Sequence, residues 1–287
     1  MCWRRAYHQH VRTSDSRSPP PPAPSDHVGA LLRGWRSARR VSQLDLALIA
    51  DVSSRHLSFV ETGRAQPSLE LVSRLADALE IPLRERNTLL IAAGYAPRYR
   101  ETGLAAPELL QARRAIEFIL KQQEPYPAFV LSRHWDLLMS NRGSKRIFGF
   151  LLGGPSTQSN IMRQVFDPNA LRPRIVNWEE VAVHLIRHLH NEVAAAPSDA
   201  RAQELLSEVL AYPGVPSRWR TRELGVHSAP LLTSVYRRGD VELRFFSTIA
   251  TFGTPQDVTL EELRIECSFP ADDVTDRFCR EPALRRD

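Results

Sequence analysis

Apolar residues recur at helical spacing in five short runs between residues 27 and 97, with turn residues between the runs. Leu31, Leu32, Trp35 and Ala38 form the first stripe, with Arg33, Arg36, Arg39 and Arg40 around it. Leu46, Ala47 and Ala50 form the second, behind Ser42 as a helix cap that Asp45 answers as in a capping box. After a short turn at Asp51 and Val52, Ser53 caps a third helix. Its Leu57 and Val60 face inward, and Ser54, Arg55, His56, Ser58 and Phe59 face outward. Gly63 suits a left-handed position past that helix, and Pro67-Ser68 restarts the chain. Leu69, Val72, Leu75, Ala76 and Leu79 make a fourth stripe, and Leu83 to Ala93 a fifth that ends at Gly94. Five short helices predict a compact all-α domain over residues 27–97.

The pattern then changes. Pro97, Gly103 and Pro107 mark loop-like chain, so residues 98–106 read as a linker, and a helix is expected over Glu108–Gln123. Two apolar runs, Ala128–Leu131 and Trp135–Met139, flank a polar Ser132-Arg133-His134 turn, as in a hairpin. Helices are expected over Asn141–Leu152, Trp178–Ala196 and Ala200–Tyr212. A second hairpin pairs Ala229–Tyr236 with Val241–Phe252 around Gly239-Asp240. Thr259 and Glu262 form a capping box for a short helix, and Arg264–Phe269 is a last strand. The expected fold class is thus an all-α domain followed by an α+β domain with an antiparallel sheet of about five strands.

Charge divides the same way. Residues 1–100 hold 15 Lys plus Arg against 9 Asp plus Glu, whereas residues 101–287 hold 23 against 24. The whole excess of +5 lies in the first third, where a polyanion would bind. Arginine supplies 36 of the 38 basic residues, which a GC-rich coding sequence explains as readily, so charge corroborates without deciding. The three cysteines, Cys2, Cys267 and Cys279, show no paired metal spacing and fit a reducing cytoplasm. No apolar run approaches the roughly 18 residues of a membrane span. Residues 1–26, with prolines at Pro19–Pro22, read as a disordered tail, and residues 280–287 as a second tail.

A helix, a tight turn and a second helix with a polar outer face form the pattern by which many proteins read DNA. Residues 42–67, SQLDLALIADVSSRHLSFVETGRAQP, resemble the Xre, or lambda-repressor-like, helix-turn-helix family. The resemblance implies that Gln43 touches a phosphate, that Ser54 and Arg55 reach base edges, and that Ser53, His56, Ser58, Phe59 and Arg64 belong to the DNA-binding surface. It also implies a structural pair of Arg36 with Glu61. Asp51 departs from the glycine common in the turn, though aspartate tolerates that backbone.

EPYPAFVLSRHWDLLMSN and FFSTIATFGTPQDVTLEELRIECSFPAD resemble the ligand-binding domain of MmyB-like transcription regulators, over residues 107–279. That family implies a PAS-like fold, a cytoplasmic bacterial homodimer that binds a double-stranded DNA operator, and a cavity suited to a small apolar ligand such as a fatty acid. Ser132 stands where many relatives carry aspartate. The expected cavity residues are Phe129, Leu131, Trp135, Leu137, Phe148, Phe166, Phe245 and Phe246, with Arg133, His134 or Asn141 at the mouth. A solid aromatic core is the competing reading of the same residues.

Other chemistry is unsupported. His184 and His188 share a helix face, but Leu185, Ile186 and Arg187 lie between them where a zinc hydrolase needs a glutamate. Neither GxSxG, GxGxxG nor a phosphate-cradling loop occurs, and adjacent carboxylates such as Glu179-Glu180 cannot face each other across a substrate. No enzyme activity, metal or cofactor is therefore expected. The alternative to a ligand sensor is an antitoxin-type or other interaction protein whose second domain binds a partner protein.

Overall fold

The computed structural model describes residues 27–196, 199–221 and 231–281. The tail expected over residues 1–26, residues 282–287 and the start of the strand expected from Ala229 lie outside them. The chain forms two units, the first ending at Tyr99 and the second beginning at Arg100.

The first unit contains α1 (Val28–Ala38), α2 (Gln43–Ile49), α3 (Ser54–Glu61), α4 (Leu69–Ala78) and α5 (Leu83–Ala92). Serine side chains start three of them. Ser42, Ser53 and Ser68 accept from the backbone N–H of Asp45, His56 and Leu71, which satisfies donors that no helical carbonyl can reach. Leu46, Leu57, Val60 and Leu75 are buried in the shared core. The stripe expected on α1 is rotated: Val28 and Leu32 are fully buried, Leu31 and Trp35 are half-buried, and Ala38 is exposed. Val28 and Leu32, four residues apart, share the buried face, and the His27 cap, whose Nδ1 accepts from the Gly29 N–H at 3.0 Å, brings Val28 into the first turn.

The second unit opens with α6 (Leu110–Gln122), then β1 (Ala128–Leu131), β2 (Leu137–Ser140), α7 (Arg142–Leu152), α8 (Ile161–Phe166), α9 (Trp178–Ala195) and α10 (Ala200–Ala211). It closes with β3 (Thr233–Arg238), β4 (Val241–Ala250), α11 (Val258–Glu262), β5 (Arg264–Pro270) and α12 (Asp273–Arg280). The five strands form one antiparallel sheet in the order β2-β1-β5-β4-β3, a PAS-like arrangement. Alternation gives the sheet two apolar faces. Ala128, Val130, Ile265 and Cys267 pack with Ile116 and Leu120 of α6, while Phe129, Leu131, Leu243 and Phe245 face the larger core with α7–α10.

Several expectations need correction. The chain read as a linker over 98–106 is partly built into the second unit: the Val258 N–H donates to the Arg100 carbonyl at 2.8 Å, and Leu104 packs beside α6. The cap of α11 is Asp257, which accepts from the Thr259 N–H, and Glu262 points instead to Arg133. Trp135 does not continue a strand; it is buried in the β1–β2 loop at φ 67°, with Ser132 Oγ accepting from the His134 and Asp136 N–H groups. Helices α8 and α12 and the residues of the 280–287 tail up to Glu281 are additional described structure.

Candidate functional site

In the first unit, α2 and α3 are held by a polar clasp. Arg36 donates from Nε and Nη2 to the two Glu61 carboxylate oxygens at 2.7 and 3.0 Å. Gln43 Nε2 donates to the same carboxylate at 2.9 Å. Glu61 is buried at the end of α3, and its carboxylate raises the Arg36 guanidinium above its ordinary value, chiefly through their hydrogen bond. Three helices therefore converge on one carboxylate, which fixes the orientation of α3 from beneath. Ser54 and Arg55 are exposed on the outer face, His56, Ser58 and Phe59 are half-exposed, and the Arg55 guanidinium lies 5.5 Å from the Phe59 ring centre. Ser53 is committed to the α3 cap, and exposed Arg64 lies just beyond Gly63, whose φ is 74°. Asp51 takes the left-handed turn conformation at φ 49°, and Arg74 donates to its carbonyl at 3.3 Å.

The second unit contains a cavity of about 900 Å³ between the sheet and α7–α9. Phe129, Leu137, Phe148, Ile161, Val165, Val181 and Leu185 give it an apolar lining. Lys145, exposed on α7, and residues 155–159 complete one side. The polar lining includes His184 and His188 on α9, Tyr236 on β3, Ser247 on β4 and Glu266 on β5. Burial governs their protonation. It pushes the Tyr236 phenol up to about 12 and raises the Glu266 carboxyl, while it lowers His184 and His188, with the Arg187 charge adding to the effect on His184. Each shift favours the uncharged form.

Of the expected cavity residues, Phe129, Trp135, Leu137 and Phe148 line the space. Leu131, Phe166 and Phe245 are buried in the solid core beside it. Phe246 stacks on Phe269 at 5.5 Å between ring centres. Arg133 and His134 are held away from any mouth: Arg133 bridges Asp199 at 2.6 Å and Glu262 at 2.8 Å, and His134 Nε2 lies 2.9 Å from Asp199. Asn141 is a buried joint that accepts from the Ala128 and Ser144 N–H groups and donates to the Leu120 and Tyr126 carbonyls. It caps α7 rather than facing a ligand. The same-face spacing of His184 and His188 was the sequence signal for this wall. Among the described residues no group of three His, Cys, Asp or Glu side chains is placed to hold a metal, and no helix is long and apolar enough to cross a membrane.

A capped helix-turn-helix followed by an α+β domain with an internal cavity defines a DNA-binding regulator with a ligand-binding domain. Residues 112–281 match the MmyB-like transcription regulator ligand binding domain, and residues 27–89 match a helix-turn-helix domain. The chain belongs to the MmyB-like transcription regulator family. The transcriptional regulator ClgR of Mycobacterium tuberculosis is 40% identical over 67 residues, 23% of this chain and 57% of the relative. The chain thus spans little more than half the length of that relative. Among solved structures, the clp gene regulator ClgR from Corynebacterium glutamicum aligns at 27% identity, covering 37% of this chain and 99% of that one, with a TM-score of 0.23. An RNA-binding Light-Oxygen-Voltage receptor aligns at 11% identity, covering 89% and 61%, with a TM-score of 0.24. Neither superposition is close enough to bear on function.

Proposed function

We propose that this chain is a sequence-specific operator-binding regulator whose cavity senses a small apolar ligand such as a fatty acid. In this reading α3 enters the major groove, Ser54 and Arg55 read base edges, and Gln43 and Arg64 meet phosphates with Ser53, His56, Ser58 and Phe59 around them. A homodimer would read a pseudopalindrome with half-sites about one helical turn apart. The observation that carries the sensing role is the cavity itself. Its 900 Å³ lies within the range of roughly 300–1,000 Å³ that suits small-molecule sites, and its walls are mainly apolar with a few polar groups. The Gln43 bond to Glu61 supports a positioning function for that side chain in addition to a phosphate contact.

The test is to purify the protein natively, release its contents by denaturation and identify them by mass spectrometry. The identified molecule is then added during operator selection from random DNA. A bound apolar molecule that shifts operator affinity supports the sensor. An empty cavity with unaltered sequence-specific binding makes the second unit a dimerisation module instead.

A further inference from the structure

Glu266 is out of place in a purely hydrocarbon-binding cavity. It sits on β5, the middle strand of the sheet, directly between Phe129 of β1 and Ile249 of β4. All three line the cavity floor. Among the described residues no lysine, arginine or histidine is within ion-pair distance of it; the Ser247 hydroxyl of β4 lines the cavity near it, and Arg264 acts only as a more distant charge. Tyr236, on the same face of the sheet, is near enough for the two groups to influence each other and packs edge-on against Phe148. Phe148 in turn meets Phe129 edge-on, so the two polar side chains flank a shared aromatic surface.

A carboxyl group facing apolar walls is costly unless it is hydrogen-bonded. In its protonated form it offers one O–H donor and retains acceptor capacity, and the Tyr236 phenol offers the same pair of roles. The environment sorts the groups that could meet them. A ligand carboxylate would face a carboxyl with no neighbouring cation. A ligand ammonium would need Glu266 ionised against Phe129, Phe148 and Ile249, the form that its apolar surroundings disfavour. An uncharged oxygen meets the neutral carboxyl without either cost.

We infer that Glu266, with Tyr236, is a reading point for an uncharged oxygen, so that the ligand is an apolar molecule carrying a hydroxyl or carbonyl group in the part that lies against the sheet. This inference rests on the proposed ligand-binding role of the cavity and narrows its substrate class from plain to oxygenated chains. Any acidic head is then left to the exposed Lys145 side.

The probes are tetradecanoic acid and its monohydroxylated isomers, with the hydroxyl walked along the chain, titrated calorimetrically into full-length protein freed of endogenous lipid. At least one isomer is expected to bind about tenfold more tightly than the plain acid, the equivalent of one well-made hydrogen bond. Glu266→Gln, which keeps a donor and an acceptor, retains that preference. Glu266→Leu brings the isomer to within about twofold of the plain acid. Because the leucine variant can fail to fold, infrared difference spectra of the wild type give an independent reading: the protonated carboxyl stretch of Glu266, identified by its absence in Glu266→Gln, shifts on binding the preferred isomer. Equal binding of the plain acid and every isomer, an unmoved carboxyl band, or a preference that survives in Glu266→Leu overturns the inference while leaving the cavity a ligand site. Failure of every probe to bind overturns both readings.

Discussion

A methyl group added at Gly29 would lie 2.1 Å from the Val60 carbonyl oxygen and 3.0 Å from the Glu61 Cα. No rotamer relieves that contact, since the obstacle is the backbone of α3. Gly29→Ala is therefore expected to push α1 and α3 apart and destabilise the first unit by about 1–3 kcal/mol, measured by urea denaturation. An unchanged midpoint would mean that the helices approach less closely than this. Arg55 has the opposite character, exposed and without an ion pair among the described residues, its guanidinium resting near Phe59. Arg55→Ala should weaken binding to the selected operator by roughly 1–3 kcal/mol and binding to random DNA by less. Equal losses at both would remove its role as a base reader. Glu266 and His184 set opposing pH dependences in the second unit. Burial raises the Glu266 carboxyl in the folded state, so its contribution to stability is complete below the unfolded value and is lost as pH rises through the folded one. Burial depresses His184, so its contribution is complete above the unfolded value of about 6.5 and is lost as pH falls through the folded one. Glu266→Gln should accordingly melt above the wild type at about pH 8, with the gap shrinking toward about pH 5. A gap that is constant with pH would show that the carboxyl does not titrate with folding.

At the scale of elements, legibility followed locality. The α2–turn–α3 segment could be read because its signals lie within a few residues of one another: Ser42 with Asp45, Ser53 before Leu57, Asp51 in the turn, Gly63 after it. Helices α8 and α12, at six and eight residues, carry too few turns for a period to stand out. The cavity was half legible. Phe129, Leu137 and Phe148 come from apolar runs that any core would need, but Tyr236, Glu266 and residues 155–159 join the wall only when distant segments meet. Asn141 illustrates the confusion this causes, because a polar residue after a strand can close a pocket or start a helix. Its four hydrogen bonds join β1, α7 and the end of α6. Asn141→Ala would leave two N–H groups and two carbonyls short of that partner and is expected to cost at least about 2 kcal/mol, seen as a lower unfolding midpoint. Asn141→Asp keeps the acceptor that caps α7 and should recover part of the loss. A fully stable alanine variant would overturn the structural role and return Asn141 to the list of ligand contacts.

For the whole molecule, the charge division places the attraction for a polyanion in the first third of the chain, and the cavity lies in the second unit. A sensor needs free energy to pass between two such sites, and thermodynamic linkage makes that passage symmetrical. If ligand binding changes operator affinity by some factor, operator DNA must change ligand affinity by the same factor, whatever structural route connects them. Couplings of this kind typically amount to about 1–3 kcal/mol, or roughly 5–150-fold. The expected result is therefore quantitative: the ligand's dissociation constant, measured with and without saturating operator, shifts by the factor by which saturating ligand shifts the operator's. Random DNA at the same salt concentration is the control, because phosphate contacts respond steeply to ionic strength and would otherwise imitate a coupling. An operator that leaves ligand affinity unchanged requires that the ligand prefer neither DNA-bound nor free protein. The cavity would then serve assembly or stability, and regulation would have to enter through the oligomeric state of the chain.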